Sequence, residues 1–342
     1  MPVDRTAPRG LLLQFVERIT NYRHVPQSPP SAAPPGHSLR EVTESYLRSC
    51  RGLVKRSSYS TYATVAERHI LPEFGERQIC LLSAEEINAY LTDISFGPEA
   101  LSVSSVRVIV SVLRAIFRHA AGMGLPVISP DSIRRPPSSG PDTRVLSPAE
   151  QQRLKEHLCF NTSYVKLGVL ICLYTGLRIG EICALKWGDI CEDTETINIR
   201  RTVQRIRNLD YDENGSESRT MLIFDAPKSR AGARCIPIPG FLQEPIRLLR
   251  RAPDCYVLTG ERERFMEPRV FQNRYRVILK RAGVDYVNFH ALRHTFATNC
   301  VNLGFDVKSL SEILGHSDVS VTLNTYVHPS ASVKRAYMNL LE

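Results

Sequence analysis

The sequence predicts a mainly α protein: an all-helical first domain, then a mixed α+β second domain with a small three-stranded antiparallel sheet. Three observations predict it. Apolar residues recur at helical spacing behind serine caps over most of the 342 residues. Pro-rich stretches at 26–35 and 126–141 break the pattern twice. Runs of β-type residues occur only between 196 and 238, with turn residues among them.

Residues 1–37 form a basic, Pro-rich N-terminal segment, with Arg5, Arg9, Arg18 and Arg23 against Asp4 and Glu17. Helical patterns follow at 39–47, at 57–70 ahead of Pro72, at 83–91, and at 102–121 ending at Gly122. Ser83 and Glu86 stand in capping-box spacing, and Ser57 and Ser102 sit where caps belong. The first domain therefore spans 38–125, and 126–145 reads as a linker. In the second domain, Ser147-Pro148 starts a helix, and a second helix at 163–174 ends at Gly176. Three β-type runs come next, 196–206, 220–224 and 234–238, the first two separated by Asp212-Glu213-Asn214-Gly215. Helices resume at Gly240.

Bulk composition narrows the function. An apolar share of 43% in a chain this long supplies two cores. No apolar run reaches the roughly 18 residues of a membrane span. Residues 11–16 run straight into Glu17 and Arg18 without a small-residue cleavage site, so the sequence points to the cytoplasm. The nine cysteines contain no C-x-x-C pair and read as reduced residues, with no metal site. A net charge of +9 and a pI near 9.2 favour a polyanionic partner, nucleic acid first.

Four local patterns fall in order along the second domain: Thr175-Gly176-Leu177-Arg178-Ile179-Gly180-Glu181, then Ala226-Pro227-Lys228-Ser229, then His290-Ala291-Leu292-Arg293-His294-Thr295, then Leu314-Gly315-His316-Ser317-Asp318, with Tyr326 ten positions after His316. In this order they resemble the tyrosine recombinase (phage integrase) family, over roughly 38–330. The stretch 309–316 is especially similar to integrases of conjugative transposons, and the chain also resembles Xer-type recombinases, which use core sites alone. The resemblance implies a helical, SAM-like core-binding domain at 38–125 and a catalytic domain at 146–329. It also implies DNA cleavage and rejoining through a 3′-phosphotyrosyl link, with strand exchange through a Holliday junction, in integration or excision of a mobile element. Its site residues are Arg178, Lys228, His290, Arg293, His316 and the nucleophile Tyr326.

Physical chemistry asks for the same set. A phosphodiester gains charge in its pentavalent transition state, so an enzyme without metal ions must surround it with fixed cations. Arg178 and Arg293 supply guanidinium forks, and Arg178, at a helix start, adds backbone N–H groups. His290 and Arg293, three apart, share a helix face. His316 stands at a helix junction and donates from there. A phenol titrating near pH ~10 needs a proton acceptor, for which His290 is the candidate. Lys228 is the candidate acid for the departing 5′ oxygen. Glu181 is expected to hold Arg178 in place. Arg107, Arg114 and Arg118 on one helix, with Arg230 and Arg234 beside Lys228, are candidate DNA contacts. No cofactor is called for, since the phosphotyrosyl link conserves the bond energy.

The implied partners are double-stranded DNA core sites, further copies of the chain as a homo-tetramer on synapsed DNA from a monomer in solution, and DNA-bending accessory factors. Residues 330–342 are spaced as an amphipathic tail helix that docks either in cis or into a neighbouring protomer. Either the short basic N-terminal segment contacts arm-type sites in reduced form, or core sites alone are used. Two other readings share these features: a type IB topoisomerase, and a catalytically silent DNA-binding regulator, which would have lost a catalytic residue.

Overall fold

The computed structural model describes residues 36–135, 144–211, 218–226 and 232–326, together with Arg335, Met338 and Asn339. The expectations for the N-terminal segment, for Lys228 and Arg230, and for the tail helix lie outside the described residues. The chain divides by contact into two compact units, Met1–Pro137 and Ser138–Glu342.

The first unit is helical among the described residues. Helix α1 (Leu39–Cys50) opens on a capping box in which Ser38 and Glu41 each accept the other's backbone N–H. Helix α2 (Arg56–Val65) passes through a π-helical turn, Ala66–Ile70, into the short α3 (Leu71–Phe74), whose first turn holds Pro72. Helix α4 (Ala84–Phe96) starts at the predicted Ser83–Glu86 box, and α5 (Val103–Gly122) starts at Ser102. Val106, Ile109, Val110, Leu113, Ile116 and Phe117 on α5 are all at most 2% exposed, one stripe at helical spacing. They pack with Leu39, Ile70, Phe74, Ile87 and Leu91, so α5 is the axis of this core. Each such side chain contributes about 1.5–3 kcal/mol of burial.

The second unit begins with α6 (Pro148–Cys159), capped by Ser147 as its sequence predicts, with Glu150 closing a capping box. Helix α7 (Tyr164–Thr175) runs through the core: Leu167, Val169, Leu170, Ile171 and Cys172 are fully buried on every side of it. It stops at Gly176, whose φ of 66° is left-handed. A Cβ there would stand 2.7 Å from Phe296 and 2.9 Å from Leu314, so both conformation and space require glycine. The short α8 (Ile179–Ala184) follows at once.

The β structure differs in detail from its prediction. The run expected as one strand over 196–206 is two, β2 (Thr196–Ile199) and β3 (Thr202–Arg207). β2 lies between β1 (Ile190–Cys191) and β5 (Arg234–Pro237) in the three-stranded antiparallel sheet, with Ile197 opposite Ile236. β3 pairs separately with β4 (Thr220–Asp225), Val203 opposite Phe224. The reason is side-chain parity. Ile197, Ile199 and Val203 are buried at alternate positions, and an unbroken strand would put Arg201 on the same face. The chain instead leaves the ladder at Arg200 and Arg201, and Arg201 pairs with the buried carboxylate of Asp189.

Helices α9 (Gly240–Leu249), α10 (Pro268–Arg281), α11 (His290–Asn302), α12 (Val307–Leu314) and α13 (Val319–Tyr326) complete the unit. Helix α11 packs on α7, and α12 and α13 pack on α11. A small cluster of Ala297, Cys300, Leu310 and Leu314, joined by Phe296, Val301 and Tyr326, sits among these last three helices. No described helix is long and apolar enough to cross a membrane.

Candidate active site

Two left-handed glycines, Gly176 and Gly315, end α7 and α12 and bring the carbonyls that follow each helix toward α11. Arg293, 1% exposed, donates from Nη1 to the Gly176 carbonyl at 2.9 Å and from Nη2 to the Leu314 carbonyl at 2.7 Å. Arg178 donates from Nη2 to the next carbonyl, that of Gly315, at 3.3 Å. Successive carbonyls of one helix end thus hold both predicted arginines. Burial, then the charge of Arg178, draws the Arg293 guanidinium down to about 9, which leaves it protonated at neutral pH.

Glu181 holds Arg178 as expected, and a second cation holds Glu181. Its carboxylate accepts from Arg178 Nη1 at 2.8 Å and from the Arg178 backbone N–H at 2.9 Å. Arg234 approaches from β5 as a fork, Nη1 to Oε1 at 3.0 Å and Nη2 to Oε2 at 2.9 Å, while its Nε donates to the Ile313 carbonyl at 2.6 Å. Burial alone would raise Glu181, yet the bonds and charge of Arg234, then Arg178, carry it below the ordinary carboxylate range. This corrects the expectation for Arg234 as a DNA contact: its side chain is 5% exposed and committed to Glu181. The backbone N–H expected to favour an anion at Arg178 is also taken by Glu181. Arg114, likewise expected to face DNA, donates from Nε and Nη2 to the Ile133 carbonyl at 3.0 and 2.7 Å and so ties α5 to the segment after it. Arg107 and Arg118 are exposed on α5.

His316 stands between α12 and α13, with Nδ1 2.8 Å from the hydroxyl of the fully buried Thr322. That contact fixes the ring and leaves Nε2 for another partner. Burial, then Arg293, Arg178 and Arg234, lower its pKa to about 4. His290 is lowered to about 4 as well, by desolvation first and then by His294, Arg293 and Arg178. Both imidazoles are therefore neutral at pH 7, each with one N–H to donate.

The half-buried Tyr326 lies at the end of α13 against α11. Burial raises its phenol above the ordinary value, and Arg293 and Arg178 oppose that rise. Its hydroxyl does not meet His290, the expected proton acceptor. It lies 2.9 Å from Nδ1 of His294, one turn further along α11. His294 is the residue that reading the sequence passed over. The signal was there: four positions after His290, it shares that residue's helix face.

A cleft of about 1020 Å³ opens beside these groups, lined by Arg178, Glu181, Thr202, Gln204, Arg205, Arg269, Gln272 and His316 among others. Gly180 permits its floor, since a Cβ there would stand 2.6 Å from the Val203 carbonyl of β3. Among the described residues there is no cluster of three or more potential metal ligands.

The chain matches the phage integrase family over residues 144–332 and the N-terminal SAM-like domain of phage integrases over 38–95. It belongs to the phage integrase family. Within that family it is a tyrosine-type site-specific recombinase, close to the Xer recombinases and the integrases of conjugative transposons. It is 28% identical over 274 residues to a XerC-like tyrosine recombinase of Caldanaerobacter subterraneus subsp. tengcongensis, covering 73% of this chain and 68% of that one. It is 26% identical over 216 residues to the transposase of transposon Tn916 from Enterococcus faecalis, covering 58% of this chain and 51% of the transposase. In fold it resembles a Tn1549 transposon integrase solved with transposon right-end DNA, at a TM-score of 0.72 and 21% identity over 89% of this chain and 99% of the other. It also resembles a lambda integrase tetramer bound to a Holliday junction, at 0.63 and 15% identity over 97% and 91%.

Proposed function

We propose that this recombinase breaks and rejoins double-stranded DNA at core sites by attack of the Tyr326 phenol on a phosphodiester, leaving a 3′-phosphotyrosyl link. The observation that carries the reading is the convergence of Arg178, Arg293, His316 and Tyr326 about one turn of chain, Leu314 to His316. Arg178 and Arg293 receive the non-bridging oxygens, their remaining N–H groups matching the charge that grows in the transition state. His290 and His316 donate to the same phosphate. Lys228, which the sequence places between β4 and β5, protonates the leaving 5′ oxygen. Glu181 and Arg234 act through Arg178, holding its guanidinium in position. Because the link preserves the bond energy, rejoining by a 5′ hydroxyl needs no cofactor.

Four copies on two core sites exchange strands through a Holliday junction, from a chain that is monomeric when free and cytoplasmic. Integration or excision of a mobile element is the reaction this serves, with accessory DNA-bending factors where the sites demand them. Residues 38–125 form the core-binding domain, with Arg107 and Arg118 toward the backbone; 146–329 form the catalytic domain.

The test is covalent trapping. Nicked duplexes that the full chain binds are recovered from a random-sequence library and incubated with it. A denaturation-resistant protein–DNA band forms with the wild type and is absent in Tyr326→Phe, which still binds. Binding without any such band in the wild type identifies a silent regulator. Relaxation of supercoils without strand exchange identifies a topoisomerase.

A further inference from the structure

Two histidines stand one turn apart on α11, and only one of them is in contact with the Tyr326 hydroxyl. The rings of His290 and His294 meet edge to face, centroids 4.6 Å apart and planes at 89°. Of the two, His294 carries the contact to the nucleophile, with its Nδ1 2.9 Å from the Tyr326 hydroxyl and the ring centroids 5.5 Å apart. The tyrosine ring is set there by packing. It lies on the small apolar cluster that includes Phe296, Ala297, Cys300 and Val301, the α11 stretch directly beyond His294.

We infer that His294 is the catalytic group that takes the proton of Tyr326, and that His290 is left to the phosphate. The inference rests on the reading of Tyr326 as nucleophile. The charges around the pair are consistent with it. Burial, then Arg293, hold His294 below its ordinary value, so it is neutral at pH 7, and in the tautomer protonated at Nε2 its Nδ1 accepts from the phenol. Tyr326 is raised by burial against Arg293 and Arg178, so it enters the reaction as a phenol with a proton to give. His290 and Arg293 face His294 along α11 and Tyr326 faces it from α13. Among the described residues, Arg178 at the start of α8 and His316 before α13 also act on these groups, with Glu181 and Arg234 beside Arg178 and acting on Arg293.

In the step, the Tyr326 O–H bond breaks and the proton moves to His294 Nδ1 as the phenolic oxygen bonds to phosphorus. The bond from phosphorus to the 5′ oxygen breaks, and its electron pair leaves on that oxygen, which takes a proton from Lys228. In rejoining, the 5′ hydroxyl gives its proton back to Lys228 as its oxygen bonds to phosphorus, the bond from phosphorus to the phenolic oxygen breaks, and His294 returns the proton to Tyr326. Nothing is consumed.

The experiment is the single-turnover rate of adduct formation on the selected nicked duplexes, from about pH 6 to about pH 9, for wild type, His294→Gln and His290→Gln. With an imidazole as base, the wild-type rate is level above the imidazole's pKa. Without it, the rate follows the phenolate fraction and rises about tenfold per pH unit. The expected result is a loss of about 100-fold at pH 7 in His294→Gln, within the usual range for one acid–base group. That variant then shows the steep slope, and added imidazole restores part of the rate. His290→Gln is slower but level. A uniform, pH-independent loss in His294→Gln overturns the inference, and so does a steep slope that appears in His290→Gln instead.

Nitrogen NMR of the DNA-free full chain gives a second reading that needs no active variant. The His294 Nδ1 signal is that of an acceptor nitrogen and moves in Tyr326→Phe. A protonated Nδ1 that is indifferent to Tyr326 contradicts the inference. An adduct that persists in Tyr326→Phe would instead overturn the nucleophile reading itself, so the two failures are told apart.

Discussion

Glu181 is buried between two guanidinium groups, and that makes its removal costly. With Glu181→Ala, the Arg234 side chain, 5% exposed, keeps its charge and loses its partner. Breaking a buried pair in this way costs about 3–5 kcal/mol, which a shift of the urea midpoint of the catalytic unit reads directly. The pH dependence has two parts. The depressed pKa of Glu181 gives stability that is present above its unfolded value, about 4.3, and is lost as pH falls through the lower folded value. His290 and His316, drawn down to about 4, bind protons later in the folded chain than in the unfolded one. Stability therefore falls with pH between the unfolded imidazole value, about 6.5, and about 4. Unfolding midpoints across that range flatten in the double variant His290→Asn, His316→Asn, and an unchanged slope would refute the assignment. Much of the site was legible at this scale, because Arg178, His290, Arg293, His316 and Tyr326 are chemistry-bearing types in a set order. The partner of Tyr326 was not. His290 and His294 share a helix face, and only the seating of Tyr326 on Phe296 and Cys300 selects between them.

Helix ends, more than helices, assemble the site. Gly176 turns α7 so that its carbonyl meets Arg293, and Gly315 turns α12 so that its own meets Arg178. Gly176→Ala combines a left-handed φ of 66° with contacts of 2.7 and 2.9 Å to Phe296 and Leu314. The expected cost is about 1–3 kcal/mol for the backbone alone, read as a lowered Tm, together with slower adduct formation as Arg293 loses its seat. Glycine as a helix stop is visible in sequence, since a left-handed cap has few alternatives. The strands were harder. Alternation carries through Ile197, Ile199 and Val203 as though one strand ran the whole length, and the break at Arg200 and Arg201 answers to Asp189, a residue distant in pattern though near in sequence. Strand pairing is decided by such contacts, which no local period contains.

Across the whole molecule, two units each with its own core share one basic chain of net charge +9. Binding to duplex DNA is expected to weaken steeply with salt, each neutralised phosphate contributing about 0.9 to the log–log slope. Fluorescence anisotropy at several salt concentrations separates the two kinds of arginine on α5. Arg118→Gln lowers the slope by about one unit. Arg114→Gln instead lowers the stability of the first unit, because its guanidinium holds the Ile133 carbonyl. Two-unit organisation was readable from the proline-rich breaks; which arginines are spent inside a unit was not, since Arg114 and Arg118 are the same residue type one turn apart on one helix. Attack by the Tyr326 phenol is tested by mass-spectrometric mapping of the trapped adduct after digestion of both protein and DNA. A nucleotide joined through its 3′ phosphate to the Tyr326 peptide, and to no other, is the predicted result; a nucleotide carried by a different residue, or joined through a 5′ phosphate, would contradict it.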